Sequence, residues 1–440
     1  MLLQGATIRS AAWAAAGEGL EKRKLRLGFV PLIDAAPLVI AKERGFFRRH
    51  GLEVTLSREV SWANVRDNLA AGVLDAAQML APMPLASTLG VGARAVPMLT
   101  ALSLDLNGNA ITVSADLYRR MREVDPAAVA RRPVSAAALA QVIEEDRRAG
   151  RRPLVFAVVF PFSAHNYELR YWLATGGVDP ERDVEMRIVP PSLMAEKLEE
   201  GSIDGYCVGE PWNEYAVYLG LGRTVATSYE IWNNSPEKVL GVTRGWAERH
   251  PATHRALIRA LIDAARWIDR PENRLETVHL LAAESYVDAP VEAIVRALRG
   301  GARTPDADAL MATGSSVFYR FAATFPWRSH AVWFVSQMLR WGQIERPLDV
   351  AALVDAVYRP DVYREAADEL GVPAPLADMK REGEHDGPWL LDAATQPIAM
   401  GPDRFLDGRV FDPHDPSAYL AGFPIHAARV SFDELARCGS

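Results

Sequence analysis

Apolar and polar positions change period along the chain in a repeating order. Leu25-Arg26-Leu27-Gly28-Phe29-Val30 alternates and then turns continuously apolar, as a strand does when it enters a core, and Glu53-Val54-Thr55-Leu56 alternates again. Between them Pro31 and Pro37 bracket a loop, and Leu38 to Phe47 spaces its apolar residues along one helical face. Strand, loop, helix and strand at this spacing predict a βαβ unit with a right-handed crossover. The rhythm continues through a helix over 63–71, a strand over 73–78, a helix over 84–89 and a strand over 96–102. This is an open α/β layer.

Past Asn109-Ala110-Ile111-Thr112-Val113-Ser114 an Arg- and Ala-rich helical stretch intervenes, and a second α/β unit starts at Leu154-Val155-Phe156. Its pattern predicts a helix over 166–175, a strand over 184–189, a helix over 192–200 and a strand over 203–208, with an end near Trp232. Val239-Leu240-Gly241-Val242-Thr243 returns to the first unit. Pro251 then opens a helix to Ile268 that Asp269-Arg270-Pro271 stops, and residues 332–339 carry one more amphipathic helix. Two lobes joined by two crossings predict a hinged cleft. The expected division is 1–24 as a leader remnant or disordered N-terminus, 25–113 as the first part of lobe 1, and 114–235 as lobe 2. Residues 236–345 are the return to lobe 1, and the Pro- and Asp-rich 346–440 form a C-terminal extension packed on both.

Composition narrows the class. The chain has 440 residues, 49% hydrophobic positions and a formal net charge of −7, the balance of a globular protein without a basic stripe for nucleic acid. No run approaches the roughly 18 uncharged apolar residues of a membrane-spanning helix. The two cysteines, Cys207 and Cys438, have no second Cys or His at metal-ligand spacing, so neither a disulfide framework nor a metal site is encoded. Residues 1–19 are small and Ala-rich, with Ala12-Trp13-Ala14 in the A-x-A pattern of a signal-peptidase site, but lack a basic start and carry Arg9 inside the apolar part. They read as the tail of a signal peptide whose mature chain begins near Ala15. The alternative is a disordered N-terminus on a cytoplasmic protein.

Catalytic signatures are missing: there is no G-x-S-x-G elbow, no P-loop and no H-E-x-x-H, and Gly28 lacks the two further glycines of a dinucleotide fingerprint. The expectation is a binding protein, not an enzyme, with no cofactor. Its candidate ligand contacts are polar and aromatic residues in loops after strands, where open α/β sheets bind ligands. Trp62 follows a natural N-cap, Ser61, and combines an indole N–H with free helix amides, a donor set suited to a small anion; its other reading is a core Trp. Gln78 and Asn107 end strands and are either neutral amide donors or turn residues. Ser163 and His165 stand at a helix start, either as ligand donors or as a cap with a satisfied His. Glu210, in Gly209-Glu210-Pro211-Trp212-Asn213, and the pair Trp232 and Asn233 beside the second crossing complete the set.

At these positions the chain resembles the nitrate- and bicarbonate-binding proteins of ABC transporters. The resemblance is carried by Leu27-Gly28-Phe29-Val30-Pro31-Leu32, Gly45-Phe46-Phe47, Trp62 with Arg66-Asp67-Asn68, Pro82-Met83-Pro84, Arg170-Tyr171-Trp172, Val189-Pro190-Pro191, Gly209-Glu210-Pro211-Trp212 and Phe411-Asp412-Pro413, in order over residues 24 to 425. It implies a two-lobed fold of the periplasmic-binding-protein type II, closing without catalysis on a small planar oxyanion, and a permease in the inner membrane as partner. Trp62 matches the family's Trp, and the family's amide contact falls at or near Asn107. The family's histidine aligns with Val158 and its lysine falls near Asn233, where no Lys stands, so another small anion or an amide-like solute is also open. The same fold serves cytoplasmic nitrate/nitrite sensors that sequester an RNA-binding antiterminator. Those are shorter at the N-terminus and lack the A-x-A remnant, so the remnant favours the transporter reading.

Overall fold

A computed structural model describes residues 19–299 and 316–431. The leader-like residues up to 18, with the expected start near Ala15, and Cys438 lie outside the described residues. The first unit opens with β1 (Lys24–Phe29), α1 (Ala36–Glu43), β2 (Glu53–Arg58), α2 (Trp62–Ala70), β3 (Ala76–Leu80), α3 (Met83–Leu89) and β4 (Met98–Ser103). The second holds β5 (Asn109–Ser114), β6 (Leu154–Val158), α4 (Ala164–Thr175), β7 (Val184–Ile188), β8 (Gly205–Gly209), α5 (Trp212–Tyr218) and β9 (Gly222–Thr227). The chain then returns as β10 (Lys238–Thr243), followed by α6 (Pro251–Ile268), α7 (Val291–Leu298) and α8 (Arg328–Arg340).

Two mixed five-stranded sheets result, ordered β2-β1-β3-β10-β4 and β7-β6-β8-β5-β9. In the first, β1 pairs parallel with β2 and β3, while the returning β10 runs antiparallel between β3 and β4. The burial follows the sequence. β3 reads Ala-Ala-Gln-Met-Leu and is buried at every position, whereas the outer β2 alternates exposed and half-buried. The reading attached residues 109–113 to lobe 1, but β5 pairs with β8 and β9 in the second sheet, because a strand leaving one sheet for the other carries no local mark of which it joins. Likewise α8, expected in the first lobe's return, packs Phe334 against Tyr167 of α4, with ring centres 6.3 Å apart.

The two crossings lie side by side. Leu104 N–H donates to Lys238 O (2.8 Å) and Asn107 N–H to Ser235 O (2.8 Å). Asn107 takes a left-handed φ of 65° and Gly108 follows at 91°; a Cβ on Gly108 would stand 2.8 Å from Ser316 Oγ, so the turn requires glycine there. The lobes also touch at a seam, where Ile33 N–H donates to Glu210 O (2.9 Å), the Trp212 indole to Pro31 O (3.0 Å) and Arg296 of α7 to Glu214 (2.9 Å).

Residues after α8 wrap both units. Tyr358 Oη donates to Ala81 O at the end of β3 (2.9 Å), and Tyr171 Oη of α4 donates to Asp407 Oδ1 (2.8 Å). Phe405 stacks on Trp232 with centres 4.6 Å apart. Among the described residues no helix is long and apolar enough to cross a membrane.

Candidate functional site

Two capped helix starts face the beginning of β10 between the lobes. Ser61 Oγ accepts the Asn64 N–H (3.2 Å) and sets Trp62 in the first turn of α2; Ser163 Oγ accepts the Asn166 N–H (3.1 Å) and sets His165 in the first turn of α4. Lys238 opens β10 and is wholly buried. Its Nζ lies 2.7 Å from Asp34 Oδ2, in contact with Glu237 Oε1, and 5.4 Å from the centre of the Trp62 ring. His165 Nε2 lies 3.1 Å from the same Glu237 oxygen. Asp105 Oδ1 accepts the Lys238 backbone N–H (3.0 Å), and Asn109 Nδ2 donates to Glu168 Oε2 (3.1 Å). The Trp62 indole nitrogen, both His165 ring nitrogens, Asn109 Oδ1, Glu168 Oε1 and Asp105 Oδ2 are buried without a hydrogen bond. Such groups are rare in a folded protein, and a cluster of them on one spot calls for an occupant.

The electrostatics follow from four carboxyl groups around one ammonium, all out of water. Burial works against the charge of Lys238, but Asp34 and Glu237 outweigh it and raise its pKa. Burial raises Asp34 against the pull of Lys238, and raises Asp105 well above the carboxylate range with Asp34 adding to it. Glu168 is pushed up to about 8 by burial and then by Glu237, and Glu237 up to about 7 by burial against Lys238. Burial, then Lys238, lowers His165 well below its ordinary value, so at neutral pH it is an uncharged imidazole with one N–H to give.

The sequence-predicted residues divide. Trp62 and His165 meet in this cluster. Gln78 reaches it with both amide atoms engaged: Oε1 accepts the Val30 N–H (2.8 Å) and Nε2 donates to Asp34, so Gln78 orients the carboxylate that holds Lys238. Asn107 ties the crossings together, its Nδ2 donating to Asn234 Oδ1 (3.2 Å). Ser163 is consumed as a cap, its hydroxyl donating to Phe160 O (2.7 Å). Glu210 sits on the seam, where Oε2 accepts the Glu214 N–H (3.2 Å) and burial with Glu214 raises its pKa well above the carboxylate range. Trp232 and Asn233 meet the C-terminal wrap: Trp232 packs against both Phe405 and Trp333, and the Asn233 backbone N–H donates to Arg404 O (2.9 Å) while its Nδ2 donates to Tyr229 O (2.6 Å).

Lys238 was missed, along with Asp34, Asp105, Asn109, Glu168 and Glu237. The resemblance puts the family's lysine near Asn233, where none stands, and its histidine at Val158. The structure brings in a lysine five positions on, and Val158 ends the buried β6 while His165 reaches the cluster from the next helix. A charged pair, Glu237-Lys238, directly ahead of the apolar run Val239-Leu240-Gly241-Val242 is the signal that could have found them, since a strand that starts buried has no solvent to offer its first charge.

The sequence profile of the NMT1-like family matches residues 18–282. The chain belongs to the NMT1-like family. Among relatives in sequence, the nitrate/nitrite binding protein NrtA of Synechococcus elongatus is 33% identical over 425 residues, covering 94% of this chain and 89% of that protein. The nitrate import ATP-binding protein NrtC of Synechocystis is 41% identical over 418 residues, and there the chain spans only 57% of the relative's length. Among solved structures, the periplasmic nitrate-binding protein NrtA from Synechocystis superposes with a TM-score of 0.79 at 31% identity, covering 92% of this chain and 100% of that one. The NMT1-like chain therefore has the two-lobed fold of periplasmic binding proteins, with its buried cluster where the lobes meet.

Proposed function

We propose that this chain is the solute-binding component of an ABC importer for a small oxyanion, namely nitrate, nitrite, bicarbonate or a related small solute. It binds without chemical change, on the outer side of the inner membrane, and delivers the solute to a permease. The carrying observation is that a buried lysine, an indole N–H and an imidazole from three separate elements converge between the lobes, with the indole and imidazole left unbonded. Trp62 and His165 donate to the anion, Lys238 supplies the charge, and Asp34, held by Gln78, fixes the lysine. The relatives' printed functions, nitrate/nitrite binding and nitrate import, agree with this reading.

A melting screen of the full chain against nitrate, nitrite, bicarbonate, cyanate, formate and small amides tests it. A true ligand at a hundredfold excess over Kd adds about 2.7 kcal/mol of stability. A chain that ignores every anion and turns over one of the solutes refutes it.

A further inference from the structure

The cluster holds an anion of its own among the donors assigned to the ligand. Glu237 Oε1 touches Lys238 Nζ and stands 3.1 Å from His165 Nε2 without hydrogen bonding to it, so one carboxylate oxygen occupies the lysine and crowds the imidazole, two of the three donors assigned to the ligand. Asp34 holds the lysine from a different side, at 2.7 Å. Lys238, Asp34 and Glu237 in their charged forms already sum to −1, and a bound monoanion would make that −2 in a space closed to water. Repulsion at such distances is not screened by salt or solvent.

We propose, resting on the anion-binding reading above, that the site takes up its oxyanion together with one proton, and that Glu237 is the group that accepts it. Protonation removes the internal competitor: the neutral carboxyl releases its hold on Lys238, and its new O–H becomes a donor to the incoming anion. The balance is one H⁺ from solvent bound to a Glu237 oxygen for each anion bound, with no bond broken in the ligand. The groups facing Glu237 from the packed elements leave it as the acceptor. Lys238 is held charged by its carboxylates. His165 on α4 is disfavoured as a cation by burial and by Lys238. Asp105 is bonded to the Lys238 backbone N–H, with burial working against its charge, and Glu168 is bonded to Asn109 and pushed up to about 8, above Glu237; the thiol of Cys207 on β8 is raised by burial and Glu168. Asp34 is the group in closest contact with the ammonium apart from Glu237 and remains its partner.

The test is titration calorimetry of the full chain with sodium nitrate, then sodium nitrite, in phosphate, Hepes and Tris at matched pH from 6 to 9. Both anions keep their charge across that range, so any proton exchanged belongs to the protein. The slope of apparent enthalpy against buffer ionisation enthalpy should rise from near zero at pH 6 to most of one proton taken up at pH 7.5, where Glu168 still keeps its own, with Kd weakening up to tenfold per pH unit above pH 7. Glu237→Gln, which keeps the shape of the neutral acid, should bind with no proton uptake and a Kd flat with pH from 6 to 7.5. His165→Asn should bind more weakly yet still take up the proton, and this variant serves if Glu237→Gln does not fold. Tight binding of either anion by the wild type with zero slope at pH 7.5, or loss of the uptake in His165→Asn, overturns the proton-coupled mechanism alone. Binding of neither anion at any pH overturns the oxyanion reading itself.

Discussion

Lys238 and Asp34 form a 2.7 Å ion pair from which solvent is excluded, joining the return strand β10 to the loop after β1. Removing one member of such a pair leaves the other charge buried and unmatched, which destabilises far more than loss of a surface pair. Lys238→Met is therefore expected to lower stability by about 3–5 kcal/mol and to abolish anion binding. Adding Asp34→Asn should restore much of the stability and none of the binding. Denaturant melts of the single and double variants, with calorimetry for nitrate, check both halves.

Trp62 is fully buried, yet its indole N–H has no acceptor, unlike Trp172, whose indole donates to Val134 O at 2.8 Å. Trp62→Phe keeps the ring packed and removes only the donor. It should leave the melting temperature nearly unchanged and weaken anion binding by about 1–3 kcal/mol, the penalty for an unmade buried hydrogen bond. A fall in melting temperature with unaltered affinity would assign Trp62 to packing.

The opposite is expected at Trp232. Its ring is stacked on Phe405 and packed against Trp333, so Trp232→Ala should destabilise the chain by about 3–5 kcal/mol through the cavity it leaves. Affinity for nitrate, measured below the melting range, should be unchanged.

Glu168 makes stability fall toward alkaline pH. Its folded pKa is pushed up to about 8 by burial and Glu237, from an ordinary value of 4.5. Below the ordinary value both states hold the proton and the folded chain keeps its full stability. As pH rises from there through about 8 the unfolded chain releases a proton that the folded one retains, and stability drops. Glu168→Gln should be close to neutral at pH 5 and stabilise by about 1–3 kcal/mol at pH 8.5, read as a flatter curve of melting temperature against pH.

The layered fold was legible because each unit repeats a short local period. The helix Pro251–Ile268 is bounded by its own proline and by Asp269-Arg270-Pro271, and β3 is an apolar run that can sit only inside a sheet. What local pattern cannot express is which sheet a crossing strand joins, hence the misassigned Asn109–Ser114. Nor could it rank the two tryptophans. Trp62 and Trp232 both stand beside polar loop residues and both bury an unbonded indole nitrogen; what sets Trp232 apart is a partner far along the chain, Phe405, stacked on its ring. Lys238 escaped because a lysine reads as solvent-exposed until its two carboxylates, one of them more than two hundred positions away, are brought beside it.

The C-terminal wrap has a mechanical consequence. A polypeptide fastened to Ala81 through Tyr358 and to Tyr171 through Asp407 sets the span along that flank of the molecule. Separating the two units along that flank means breaking one of these two bonds, which tie them as a spine ties the boards of a book.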